Sequence, residues 1–135
     1  MKTENKILAQ KTYQEAERYL NNAYKELKLS DRNGKVYQDV KHMRIACGAA
    51  YLAALKAVDG IFLLRGIPKP KRKGSIEYYQ IGLAQIDKKI LTSLNIVYRI
   101  LHIDGYYDGF NHIKTIESGF EETESIIHKL GEIAK

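Results

Sequence analysis

The sequence has no tryptophan, a single cysteine and only two prolines. With Cys47 alone, neither an intrachain disulfide nor a multi-cysteine zinc or iron-sulfur site can form. That points to a reducing, cytoplasmic setting. Long unbroken apolar runs are also missing: residues 45–64 come nearest and are interrupted by Lys56 and Asp59. The opening MKTENKILAQ lacks an apolar signal core, so neither a membrane span nor an export signal is expected. Strand-like alternation, low-complexity segments and internal repeats are absent as well.

What is present is 135 residues, 44% of them hydrophobic and 28% charged, enough for a single domain over 1–135 that needs no covalent staple. Three breaks, LSDRNGK (29–35), GIPKPKRKGS (66–75) and DGYYDG (104–109), cut the chain into four segments. The first, 3–28, sets Ala9, Tyr13, Ala16, Leu20, Ala23 and Leu27 at alternating spacings of four and three, the narrow seam of an amphipathic helix. The second, 36–65, is apolar on most sides and rich in alanine, the pattern of a central helix. Gly66 and Pro68 stop it, and Ser75 offers an N-cap for the next. The third, 75–104, aligns Ile76, Tyr79, Leu83, Ile86, Ile90, Val97 and Leu101. The fourth, 110–132, aligns Ile113, Ile116, Phe120, Ile127 and Leu130. Four helices of similar length joined by short loops predict an all-α, up-down-up-down four-helix bundle. In that topology the first and third loops share one end, and the second loop shares the other with both termini.

The net charge of +6 is unevenly spread, at +5 over residues 1–66, +4 over 67–74 and −3 over 75–135. Lys69, Lys71, Arg72 and Lys73 therefore form a basic loop, read either as a solvated proline-stiffened connection or as a contact for phosphate or an acidic partner. The loop holds no aromatic for base stacking, so nucleic-acid binding rests on charge alone. Ten tyrosines dominate the aromatics. Tyr13 and Tyr79 lie on core stripes and Tyr51 sits within the central helix, whereas Tyr106 and Tyr107 sit in a loop that cannot easily bury both and read either as rings folded back over the bundle end or as partner contacts. Lys56 and Asp59 read as an internal ion pair or hydrogen-bond network, and Cys47 as a buried small residue.

No motif defines an enzyme. Asp104–Gly109 matches the start of a calcium loop, but Tyr106 and Thr115 replace two oxygen ligands, leaving a glycine turn with Asp108 or Asn111 capping the last helix. His42, His102 and His112 gather at one end without the helical spacing of paired ligands, so no metal and no cofactor is expected.

The stretch AAYLAALKAVDGIFLLRG, Ala49–Gly66, resembles a helix of the HEPN superfamily of small four-helix-bundle domains, and the whole-chain pattern looks like an uncharacterised HEPN-like family of Bacteroidetes. Many HEPN proteins are ribonucleases of toxin-antitoxin and defence systems, and others are non-catalytic partners. The resemblance implies, for the catalytic kind, an Arg followed after four to six residues by a His, the Arg stabilising phosphate charge and the His moving protons. Here only two residues separate Arg99 from His102, and twelve separate it from His112. The expectation is thus a cytoplasmic bundle without catalytic activity, acting through protein contacts as a homodimer or with a small protein partner. The alternative is a divergent ribonuclease using Arg99, His102 and His112, or an RNA-binding component.

Overall fold

The computed structural model describes residues 2–70 and 75–135, and among them the fold is all-α apart from one two-stranded hairpin. Helix α1 (Lys2–Lys28) buries Ala9, Ala16, Leu20, Ala23 and Leu27 completely or nearly so, with Tyr13 half-buried on the same seam. It runs antiparallel to α2 (Val40–Arg65): Glu26 meets His42 near the turn, and Glu15 meets Lys56 at 3.1 Å farther along. Alanines on both helices bring the two axes close. Gly66, at φ 76°, closes α2 by donating its N–H to the Phe62 carbonyl.

By length and composition α2 could cross a bilayer, yet 56% of its most apolar stretch is buried against the other elements, as in a core helix. Lys56 reaches Glu15 on α1 and lies 5.7 Å from the Tyr19 ring, while Asp59 sits beside the Tyr79 hydroxyl. Of the two readings of these charges, the ion pair gives way to a network that reaches α1 through Glu15 and the Tyr79 hydroxyl through Asp59.

The second helix begins four residues later than its pattern predicts. Residues 32–37 instead form strands β1 (Arg32–Asn33) and β2 (Val36–Tyr37), turned at Gly34 with φ 65°. Their backbone is needed elsewhere: Tyr37 N donates to Asn111 O at 3.0 Å and Ile113 N to Lys35 O at 2.9 Å. These bonds join the first connection to the third. At the other end Gln10 Nε2 donates to Ala134 O, tying α1 to the C-terminus.

The single helix expected over 75–104 is corrected to two, α3 (Ile76–Ile86) and α4 (Lys88–Val97). Asp87 is extended, at φ −161°, and its carboxylate accepts from Lys89 N and Ile90 N, which starts a new helix. The chain folds back there, because Gln80 Nε2 reaches Asn95 Oδ1 at 2.8 Å. In a straight helix those residues would stand about 22 Å apart. The apolar stripe passes through Asp87 without interruption and conceals the reversal. Ser75 occupies the N-cap of α3 but makes no side-chain cap bond.

Beyond α4 the chain continues as a π-helix over Tyr98–Tyr107, so the turn expected at 104–109 begins only at Asp108. Helix α5 (Ile113–Ile133) follows, with its full predicted stripe buried. His112, not Asp108 or Asn111, is its N-cap residue and makes no cap bond, while Asn111 Nδ2 donates to Tyr37 O. The helices and Tyr37 of β2 share one buried apolar cluster. Within it, glycines permit contact a Cβ would obstruct: Gly60 and Gly119 receive Leu130 and Leu101, and Gly82 and Gly131 receive Phe62 and Tyr13.

Candidate functional site

The π-helix positions most of the aromatic chemistry. Its hydrogen bonds reach one residue farther than those of an α-helix, as between Asp108 N and Ile103 O at 3.0 Å. Side chains four and five apart then share a face. Tyr98, His102, Tyr106 and Tyr107 accordingly form one ring cluster: the His102 centroid is 5.3 Å from Tyr98, 6.2 Å from Tyr106 and 4.9 Å from Tyr107. Such a length of π-helix is rare, since most are single-turn bulges, often at functional sites.

Helix α2 forms the opposing wall. Tyr51 stacks on His102 with centroids 4.4 Å apart, and Gly48 leaves room for Tyr106, whose Cδ1 would stand 3.1 Å from a Cβ there. Gly105 likewise faces Cys47, where a Cβ would come within 2.6 Å of Sγ. Arg44 closes the end by donating to the Tyr107 carbonyl at 2.6 Å. The result is a layered platform, closed beneath and open above.

Electrostatics follow from this packing. Burial lowers the His102 pKa, which favours a neutral imidazole. Burial pushes the Tyr51 hydroxyl up to about 12, with Tyr98 adding to the effect, and pushes the Cys47 thiol up to about 12. Cys47 is therefore neither ionised nor accessible at neutral pH.

Tyr106 and Tyr107 lie on the π-helix and not in a loop, and are exposed at 43% and 60% although Tyr106 also packs on Gly48. Beside them Ile45 and Leu52, exposed at 47% and 54%, flank Gly48 on α2. Sequence reasoning missed these two because the whole helix reads as core. The signal was available in Ile45, Gly48, Ala49 and Leu52, a second stripe at helical spacing beside the buried one.

The other predicted residues do not converge. Arg99 is exposed on the π-helix, whereas His102 lies within the rings and His112 stacks on Phe110 at 6.0 Å. His42 is held instead by Glu26 and, at 3.7 Å, by Asp39. Among the described residues no three His, Cys, Asp or Glu side chains are grouped to hold a metal ion. Lys69 is exposed, and Lys71, Arg72 and Lys73 lie outside the described residues.

These features define a small all-α protein with an aromatic π-helical platform. The chain belongs to the family described as a domain of unknown function, DUF5618, which matches residues 11–132. It is similar to a solved structure of a protein of unknown function from Dyadobacter fermentans, with 36% identity and a TM-score of 0.82 over 90% of this chain and 95% of that one. No curated protein matches it.

Proposed function

We propose that the protein is a non-catalytic, cytoplasmic helical module that acts through protein contacts, and that its partner on the α2–π-helix face is a second copy of itself. The observation that carries this reading is the exposure of Tyr106 and Tyr107 beside Ile45 and Leu52. Ile45 and Leu52 are placed symmetrically about Gly48 and Ala49. In an antiparallel pairing of two such faces Ile45 of each copy would therefore lie against Leu52 of the other, with the Tyr106 rings that cover Gly48 packed between them. Tyrosines at the rim of such a face add ring area at little cost in side-chain entropy. An up-down-up-down bundle of α1, α2, α4 with the π-helix, and α5 would present this face, with α3 set to one side. A HEPN-like relationship rests on the alanine-rich course of α2.

Light scattering at micromolar concentration tests the reading. A dimer is expected for the wild type and a monomer for the double variant Ile45→Glu, Leu52→Glu. A wild-type monomer at all concentrations overturns it.

A second reading, a divergent HEPN-like ribonuclease using Arg99, His102 and His112, draws support from the lowered pKa of His102, because a general base must be neutral at working pH. Cleavage of RNA by the purified protein, lost in His102→Ala, would establish it. RNA binding without cleavage through Lys69, Lys71, Arg72 and Lys73 would instead appear as a salt-dependent affinity.

A further inference from the structure

We propose that the chain exchanges halves with a second copy of itself, with Asp87 as the hinge, so that α1, α2 and α3 of one copy pack on α4, the π-helix and α5 of the other. One residue separates α3 from α4, where connections between packed helices usually take roughly 2–8. Asp87 N donates to the Leu83 carbonyl at 2.8 Å and Leu91 N to the Asp87 carbonyl at 3.1 Å. The hydrogen bonds on either side of the corner are thus already those of an α-helix. Turning Asp87 from its extended conformation, φ −161° and ψ 99°, into the helical one would join α3 and α4 into one straight helix.

The sequence is as compatible with the open form as with the closed one. Ile76, Tyr79, Leu83, Ile86 and Ile90 make a stripe with no break at residue 87, and no glycine or proline stands between Leu83 and Val97. The corner rests on the Asp87 carboxylate, which accepts from Lys89 N and Ile90 N, and on the bond from Gln80 to Asn95.

Contacts define the two units. Helix α3 stays with α2, because Phe62 fills the space beside Gly82, where a Cβ would come within 2.4 Å, and the Tyr78 hydroxyl donates to the Pro68 carbonyl at 2.9 Å. Helix α4 runs directly into the π-helix. The chain therefore passes from one unit to the other once, at residue 87, and the contacts between units, Tyr51 on His102 and Gln80 on Asn95 among them, can reform between copies.

The symmetry also closes. Gln80 lies seven residues before Asp87 and Asn95 eight after it. Pairing Gln80 of each copy with Asn95 of the other sets two straight helices antiparallel about a two-fold axis at residues 87 and 88, an isologous contact that ends at the dimer. Asp87 limits the exchange as well as making the corner. In the open form its carboxylate gives up both amide donors and meets its counterpart near the axis, where like charges repel.

The test uses a chain with Ile45→Glu and Leu52→Glu, which removes association through the α2 face, and with Cys47→Ala, Gln80→Cys and Asn95→Cys for cross-linking by a bismaleimide. The closed chain links residues 80 and 95 within itself, and the exchanged dimer links them between copies, a difference read on a denaturing gel. After refolding at high concentration and cross-linking on dilution, an interchain fraction is expected that grows with the refolding concentration. Asp87→Ala replaces the cap with the best helix former and should raise the dimerisation constant about tenfold. Inserting Gly-Ser-Gly after Asp87 should abolish the interchain product, because a longer connection lets the corner close freely. Only intrachain links in both the wild-type hinge and Asp87→Ala, or an interchain fraction that the insertion leaves unchanged, overturns the proposal. If Asp87→Ala does not fold, the comparison of the wild-type hinge with the lengthened one decides. The chain tested lacks the α2-face contact, so the exchange and that contact stand or fall separately.

Discussion

His102 lies nearly flat on Tyr51, with ring centroids 4.4 Å apart and planes 25° from parallel, and this stack joins the π-helix to the centre of α2. The imidazole belongs to the packing of the molecule as much as to any chemistry. Its protonation is therefore coupled to folding.

Burial lowers the His102 pKa below the unfolded value of 6.5. Between the two values the unfolded chain binds more protons than the folded one, so stability rises with pH across that window. The contribution is fully present above pH 6.5 and is lost as pH falls through the folded pKa. Denaturation of wild type and His102→Phe from pH 7.5 to pH 5 should show the wild type losing stability relative to the variant as pH drops. Equal pH dependence would contradict the coupling.

Gly105→Ala should destabilise the protein by about 1–3 kcal/mol, the usual range for overpacking. The added methyl would meet Cys47 Sγ at 2.6 Å and the Ile100 carbonyl at 3.2 Å. Cys47→Ala in the same chain removes the first clash and should restore part of the loss. The non-additivity in urea denaturation measures the contact.

Asp87→Ala should cost about 1 kcal/mol, as for other N-cap carboxylates. The carboxylate satisfies Lys89 N and Ile90 N at the reversal between α3 and α4. Hydrogen exchange should quicken first at those two amides, and exchange unchanged there would refute the capping role.

Cys47 is fully buried with its pKa pushed up to about 12. At pH 8 a thiol reagent should therefore modify it only at the rate at which α2 and the π-helix separate. Addition of sub-denaturing urea should accelerate the reaction. Immediate modification of the native protein would show that the thiol is open to solvent.

Much of the helical layout can be read from hydrophobic spacing. Ala9 through Leu27 on α1 and Ile113 through Leu130 on α5 are apolar at the positions that become buried, because a helix with one neighbouring core needs one stripe. The method fails where two structures share the same stripe. Ile86 and Ile90 lie in register across Asp87, so a reversal and a straight helix look alike until the cap is weighed above the pattern. The π-helix escaped for a related reason: the aromatic spacing of four and five in Tyr98, His102, Tyr106 and Tyr107 belongs to a wider helix. In the candidate sites, Tyr106 and Tyr107 were legible as exposed rings. The bonds that join residues 35–37 to 111–113 were not, because their partners are far apart in sequence and carry no pattern of their own.

Gly60, Gly82, Gly105, Gly119 and Gly131 all lie inside helices and face a neighbouring side chain. Each lowers the intrinsic helicity of its segment by close to 1 kcal/mol relative to alanine. A helix weakened in this way holds its shape through its neighbours, not through its own backbone. An excised peptide covering α5 should accordingly show little helical circular dichroism, and added together the separate fragments should regain it only by reassembling. Order in this protein is therefore a collective property, and a nick or truncation in one helix should unsettle the others.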